Sequence, residues 1–349
     1  MTAETTAWPP YQHPVAVVQP LPGIGDMVWH LPHLRAIAAH AGAPVTLIAK
    51  PRSLADQLLI GDPAVASILW VDLNPHGRRG AHDGLLGFHR LVRKLAAPQF
   101  GTIVMLHHSA QLAAAAWRAG IPDRRGYGWG RQRWFLTTGP FLSPEIKLLH
   151  QHTRATTYLA AAEIAVPSAE PALSVAPAML QESMMRLGEI AHPYVAIGIG
   201  SSEALRQWGA ERFAELAAAL LDAGWPALLL VGGLDDMMAA RMIVDALGER
   251  GSRIKLAMGW NLADVMGVLS QAAFYVGNNT GVMNIAAATG RRSYALFGTT
   301  APFHHASQIV PVSAPDTGVH DGTLRVSVAV VLATIHADRG TLGPVAPSG

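Results

Sequence analysis

VAVVQPLPGIGDMVWHLPHLRAIAAHA, residues 15–41, decides the fold. Val15 to Gln19 is an apolar run too short for a helix and without polar alternation, the pattern of a strand buried on both faces. Two prolines and two glycines then mark a tight loop, and a helical pattern follows from Met27 to Ala41. Strand, glycine loop, helix is the first step of a doubly wound α/β sheet.

The alternation continues outward from this stretch. Val45–Ala49, Ser67–Val71 and Thr102–Leu106 read as strands; Leu54–Ile60, Leu85–Ala96 and Gln111–Ala119 read as helices. Gly120 to Leu149 breaks the rhythm, with Arg124, Arg125, Arg131 and Arg133 set among Tyr127, Trp129 and Trp134, and is expected to be a long basic, aromatic loop region. Prolines at 167, 171 and 177 mark a linker, and a helix over Met179–Ile190 leads into a second series. Its strands are expected at Tyr194–Ile199, Ala227–Val231, Ile254–Ala257, Phe274–Val276 and Ser293–Phe297. Its helices are expected at Ala210–Ala223, Asp236–Leu247, Leu262–Gln271 and Val282–Thr289. The organisation expected is an N-terminal Rossmann-like domain over 1–170, a second over 171–338, and a flexible tail over 339–349. Ligands in such folds sit beyond the carboxyl ends of the strands, so a cleft between two facing domains is the expected site.

Composition narrows the chemistry. Of 349 residues half are hydrophobic and 14% charged, which excludes a disordered polymer and allows a large core. The formal charge of +2 is too small for wrapping nucleic acid. Zero cysteines remove disulfides, thiolate metal sites and thiol catalysis. The N-terminus has neither a basic start nor an apolar stretch, and no run is long enough to span a bilayer, so a cytoplasmic location is expected, with peripheral membrane contact compatible with it. The 16 histidines form no metal-binding spacing: His107-His108 and His304-His305 are adjacent and point to opposite faces of an extended chain. No Asp-x-Asp run exists to hold a divalent ion on a diphosphate.

Four loops carry the candidate chemistry. Gly23-Ile24-Gly25-Asp26 supplies only part of a dinucleotide fingerprint, since Val28 stands where the third glycine belongs. Asp26 admits two readings, a helix N-cap or a carboxylate aimed at a cleft. Ser201-Ser202 and Arg206 precede a helix, as an ordinary turn or as a diphosphate site. Asn279-Thr280-Gly281 opens another helix, with Asn284 one turn on and its amide expected in the same site. Asp235, favoured over Asp236, either caps a helix or holds ribose hydroxyls, and Trp260 either lies on a purine or covers the sheet edge. Arg124, Arg125 and Arg131 either bind phosphates of a lipid-linked acceptor or belong to a solvated loop.

Three of these stretches, in order, resemble glycosyltransferase family 9, which contains the lipopolysaccharide heptosyltransferases and has the GT-B fold. They are Gly25-Asp26-Met27-Val28-Trp29-His30-Leu31-Pro32-His33-Leu34-Arg35-Ala36; Arg206 to Ala217 (RQWGAERFAELA); and Asn279 to Ala288 (NTGVMNIAAA) with Ala295-Leu296-Phe297-Gly298-Thr299-Thr300. The likeness covers most of residues 15–310. It implies that Asp26 is the general base and that Ser201, Ser202 and Arg206 contact the nucleoside diphosphate, Arg206 standing where the family has lysine. It also implies a donor site completed by Asp235, Trp260, Asn279, Thr280, Gly281 and Asn284. The family's usual Asp and His in the third motif are here Asn279 and Asn284, which removes one negative charge and one possible cation.

The reaction implied is a single inverting, metal-independent displacement from a nucleotide sugar, foremost ADP-heptose, to a lipopolysaccharide core or other surface glycan, with no separate cofactor. A sugar-nucleotide epimerase, which needs a second acid/base pair, and a catalytically silent nucleotide-sugar-binding protein are the alternatives.

Overall fold

The computed structural model describes residues 7–74, 77–201, 203–298, 306–313 and 322–344. The chain divides into two compact units, Met1–Pro171 and Ala172–Gly349.

In the first unit β1 (Val15–Gln19) leads into α1 (Ile24–Ala41), then β2 (Val45–Ala49), α2 (Ala55–Leu58), β3 (Val65–Trp70), α3 (Gly84–Ala96), β4 (Thr102–Met105), α4 (Ala110–Arg118), β5 (Asp123–Gly126) and α5 (Gln151–Ala161). All strand pairs are parallel, in the order β3-β2-β1-β4-β5. Every residue of β1 is buried, as a strand covered on both faces requires. Ala16, Val18, Ile48, Ile103 and Met105 share one core with Leu91 and Leu95 of α3 and with Leu112 and Ala116 of α4. Val17, Leu47 and Val104 are equally buried on the other face.

The second unit runs α6 (Pro177–Leu187), β6 (Tyr194–Gly198), α7 (Ala210–Asp222), β7 (Ala227–Gly232), α8 (Met237–Ala246), β8 (Ile254–Met258), α9 (Leu262–Ser270), β9 (Tyr275–Asn278), α10 (Gly281–Ala288), β10 (Ser293–Phe297), β11 (Ile309–Ser313) and α11 (Val328–Arg339). Its six-stranded sheet is also parallel, in the order β11-β10-β9-β6-β7-β8. Val195, Ile197, Leu228, Leu230, Val276 and Leu296 pack with Phe213, Leu216, Ile243, Val331 and Ile335 of the helices. Burying each such side chain contributes about 1.5–3 kcal/mol.

Each unit is therefore Rossmann-like, and the α/β class expected from the sequence is borne out. In each, the strand order reverses once, between β1 and β4 and between β6 and β9. There neighbouring loops leave in opposite directions and open the crevice where such sheets take ligands.

Two expectations are corrected. The stretch 120–149 is not simply a loop: Asp123–Gly126 is a sheet strand paired with β4, and Gly130–Phe135 and Pro144–Leu148 form 3₁₀ turns. The first residues beyond 338 are fixed as well. Gly340 closes α11 in the left-handed region, and Trp225 Nε1 donates to Leu342 O at 2.6 Å.

Candidate functional site

At the reversal point of the first unit, Gly23 caps α1 and Asp26 is its third residue. Asp26 Oδ2 accepts the Gly23 N–H at 3.0 Å. A Cβ on Gly23 would stand 2.6 Å from that oxygen, so a larger residue there would displace the Asp26 carboxylate. Asp26 is therefore not the N-cap but the far half of a capping box. The cap leaves it half-buried, and burial pushes its carboxyl above the usual range while the Gly23 N–H pulls the other way.

Its backbone is held as firmly. Gln19, the last residue of β1, is buried; its Oε1 accepts the Leu21 N–H at 2.8 Å and its Nε2 donates to Asp26 O at 3.1 Å. His30 Nδ1 lies 2.7 Å from the same oxygen. Since a carbonyl only accepts, this nitrogen carries the proton. His30 Nε2 then presents a buried lone pair with no hydrogen-bond partner.

The surroundings of His30 are not legible in the sequence. His107 follows β4, the neighbour of β1, and His33 bonds Thr156 of α5 through Nε2 at 2.8 Å, its ring 4.9 Å from that of His152. Burial is the largest effect on His30, holding it near 4, with His152, His150 and His107 pushing in the same direction; His107 also falls to about 4, chiefly by burial. These rings are neutral at pH 7 and polar, and five of them gather from residues far apart in sequence. Among the described residues no group of His, Asp or Glu is arranged to hold a metal ion, and His304 and His305 lie outside them.

At the reversal point of the second unit a Cβ on Gly277 would stand 2.3 Å from Gly198 O, so β6 and β9 meet closely only because glycine stands there. The loops they release carry Ser201, Arg206, Asn279, Thr280 and Gly281. Arg206 Nη1 donates to Asn279 O at 3.5 Å, and its Nε lies 3.0 Å from Glu203 Oε2. The Arg206 and Glu203 side chains are 35% and 59% exposed, so this pair is weakly held and the guanidinium remains accessible. Thr280 precedes α10 without a side-chain cap bond, and the first N–H groups of α10 lack partners within the helix. A cation and a helix N-terminus thus meet at one strand end, an arrangement suited to a diphosphate.

The remaining donor candidates divide. Ser201 Oγ is engaged in a turn with Glu203, accepting its N–H at 3.1 Å. Ser202, with Thr299 and Thr300, lies outside the described residues. Asn284 is buried and its Nδ2 donates to Thr280 O at 3.0 Å, one turn back at the start of α10. Asp235 is exposed, whereas Asp236 Oδ2 accepts the Gly233 N–H at 2.8 Å and stands 2.3 Å from where a Cβ on Gly200 would lie. The carboxylate beside the β6 loop is thus Asp236, and the Gly-x-x-Asp spacing shared with Gly23–Asp26 is the signal that identifies it. Trp260 is half-buried, with the Arg186 guanidinium 4.5 Å from its ring centroid.

Two acceptor candidates are corrected. Arg125 is fully buried, its Nη2 2.6 Å from Asp123 Oδ2 and its guanidinium 4.7 Å from the Trp8 ring centroid and 4.5 Å from that of Tyr11. Arg124 donates to Phe135 O at 2.6 Å and to Ile121 O. Arg125 thus ties β5 to the chain around Trp8–Tyr11 and is not free for a phosphate, while Arg124 ties β5 to the chain on either side of it, at Ile121 and Phe135. Arg131 is exposed.

Comparison with known proteins bears on the family and the fold. A heptosyltransferase, "Lipooligosaccharide heptosyltransferase 2" of Haemophilus influenzae, is 28% identical over 233 residues, 62% of this chain; the match spans 66% of that relative, just under two thirds. The fold is shared with a family 9 glycosyl transferase of Veillonella parvula (TM-score 0.75, 18% identity, 93% of this chain and 96% of that one). It is shared too with E. coli heptosyltransferase WaaC, solved with ADP-2-deoxy-2-fluoro heptose (TM-score 0.72, 18% identity, 93% and 99%). The profile of glycosyltransferase family 9 (heptosyltransferase) matches residues 88–324, more than half of the sequence, and the chain belongs to that family.

Proposed function

We propose that the protein transfers a sugar, foremost heptose from ADP-heptose, to a lipopolysaccharide core or related surface glycan, with inversion and without a metal ion. In this reaction Asp26 takes the proton of an acceptor hydroxyl, whose oxygen forms the new bond to the anomeric carbon as the bond to the nucleoside diphosphate breaks. Arg206, Ser201, Ser202 and the α10 N-terminus at Thr280-Gly281 take up the charge on the leaving diphosphate. Asn279 flanks Arg206 through its carbonyl, Trp260 offers a ring to the base, and Arg131 remains as an acceptor contact.

The observation that carries this reading is the meeting of Arg206 with Asn279 O at the mouth of α10. Family membership supports the chemistry, and the ADP-sugar analogue bound by the WaaC relative supports the donor. The acceptor is membrane-borne in this reading, so the protein works at the cytoplasmic face of the inner membrane by peripheral contact. No helix among the described residues is long and apolar enough to cross a bilayer.

The test is transfer by the purified protein from ADP-heptose to a heptose-less lipopolysaccharide in excess EDTA, read as ADP release and as the mass gained by the acceptor. ADP-, GDP-, UDP- and dTDP-sugars are compared in parallel. A mass gain of one heptose with an inverted linkage is expected. Isomerised donor with no acceptor product overturns transfer, and abolition by EDTA overturns metal independence.

A further inference from the structure

We propose that the outer face of α3 is the surface by which this protein docks on an anionic bilayer. The proposal rests on the reading that the acceptor is membrane-borne. Leu85 and Leu86 are 93% and 77% exposed at the first turn of α3, while Leu91 and Leu95 on the opposite side are fully buried. The leucine pair is therefore surplus to the core. At 100° per residue Leu85, Leu86, Arg90 and Arg93 fall on one continuous outer face. Arg90 and Arg93 are exposed, as are Arg78 and Arg79 in the loop before the helix. The Arg79 guanidinium reaches the start of α3, 3.4 Å from where a Cβ on Gly84 would stand.

The surface around this face is locally basic. Residues 77–96 hold five Lys and Arg against one carboxylate, Asp83, so the rest of a chain whose net charge is only +2 is acidic. Asp83 Oδ2 is committed to the Asn74 and Gly80 N–H groups, at 2.5 and 2.7 Å. Among the described residues, none of the four arginines forms an ion pair. Unpaired arginines around two solvent-facing leucines match the two needs of interfacial binding, apolar side chains for the acyl boundary and cations for anionic headgroups.

The full chain is sedimented with phosphatidylcholine vesicles, with and without phosphatidylglycerol. Binding is expected only with phosphatidylglycerol, and added salt is expected to release it. Leu85→Ser/Leu86→Ser and, separately, Arg78→Gln/Arg79→Gln/Arg90→Gln/Arg93→Gln should each lower the partition coefficient by roughly tenfold or more, with an unchanged thermal midpoint and unchanged transfer to a delipidated, soluble acceptor. Equal binding to neutral vesicles, salt-insensitive binding, unchanged partitioning in both variants, or loss only in Arg131→Gln/Trp134→Ser overturns the proposal. Vesicle binding without transfer leaves the surface assigned and sinks the proposed reaction; transfer without vesicle binding does the reverse.

Discussion

His30 and Asp26 are joined backbone to ring: Nδ1–H of the histidine donates to the carbonyl oxygen of the aspartate at 2.7 Å, one helical turn earlier. With Gln19 on the same oxygen, the ring fixes the first turn of α1 and hence the direction of the Asp26 side chain. His30→Ala removes this tie and leaves a small cavity. We expect kcat to fall about 10–100-fold, the scale of a misplaced catalytic group, with donor KM nearly unchanged. A rise in donor KM at constant kcat would show that the ring serves donor binding instead.

Asp26→Asn separates the two duties of this carboxylate. The amide oxygen can still accept the Gly23 N–H, so the thermal midpoint should stay close to that of the parent. Basicity is lost, and transfer should slow by roughly 10²–10⁴ while donor affinity holds. A rate within about threefold of the parent, on the same scale, would leave Asp26 as a cap alone.

The reach of the sequence is uneven for physical reasons. Val15–Gln19, Val45–Ala49 and Ser293–Phe297 are legible because strands covered on both faces must be apolar throughout. Asp123–Gly126 is illegible by the same rule: DRRG enters the sheet because Asp123 neutralises Arg125 and two aromatic rings cover the guanidinium, contacts made by residues as distant as Trp8 and Tyr11. β11 escapes notice because Pro311 interrupts an edge strand. Position after a strand suffices to find the loops of Asp26, Arg206 and Thr280. It does not separate Asp235 from Asp236, which depends on the Gly-x-x-Asp cap, nor does it assemble histidines 30, 33, 107, 150 and 152, which only the β1–β4 pairing and the packing of α5 on α1 bring together.

That histidine cluster sets a pH limit on stability. His30 and His107 are held near 4 in the folded chain against an ordinary value of 6.5. Because these values are depressed, the unfolded chain binds protons first on acidification. Stability is then full above about pH 6.5 and is lost as pH falls towards 4. At pH 5 each ring should cost on the order of 2 kcal/mol. Urea midpoints measured between about pH 7.5 and about pH 5, on the parent and on His107→Gln, check this. A midpoint that does not fall across the window would mean that the rings take protons without strain.

Arg206→Ala should weaken donor binding by roughly 1.5–3 kcal/mol, the range for a charge-assisted hydrogen bond, and Arg206→Lys should recover part of it. Calorimetry with ADP and with adenosine separates the contributions: the loss belongs to the diphosphate, so adenosine binding should not change. An equal loss for both ligands would mean that the substitution has disturbed the β6 loop.

Arg125 and Arg131 offer the sharpest contrast, since the same substitution should act on different properties. Arg125→Ala strips Asp123 of its buried partner and uncovers the Trp8 and Tyr11 rings. Removing one member of a buried pair costs about 3–5 kcal/mol, and the first unit should lose much of its stability. Arg131 is exposed, so Arg131→Ala should leave the thermal midpoint unchanged and raise acceptor KM severalfold if the residue meets acceptor phosphates. Thermal melts and acceptor titrations on the two proteins check both halves. A stable Arg125→Ala protein with weakened acceptor binding would return that arginine to the acceptor site and require the Asp123 pair to open when the glycan binds.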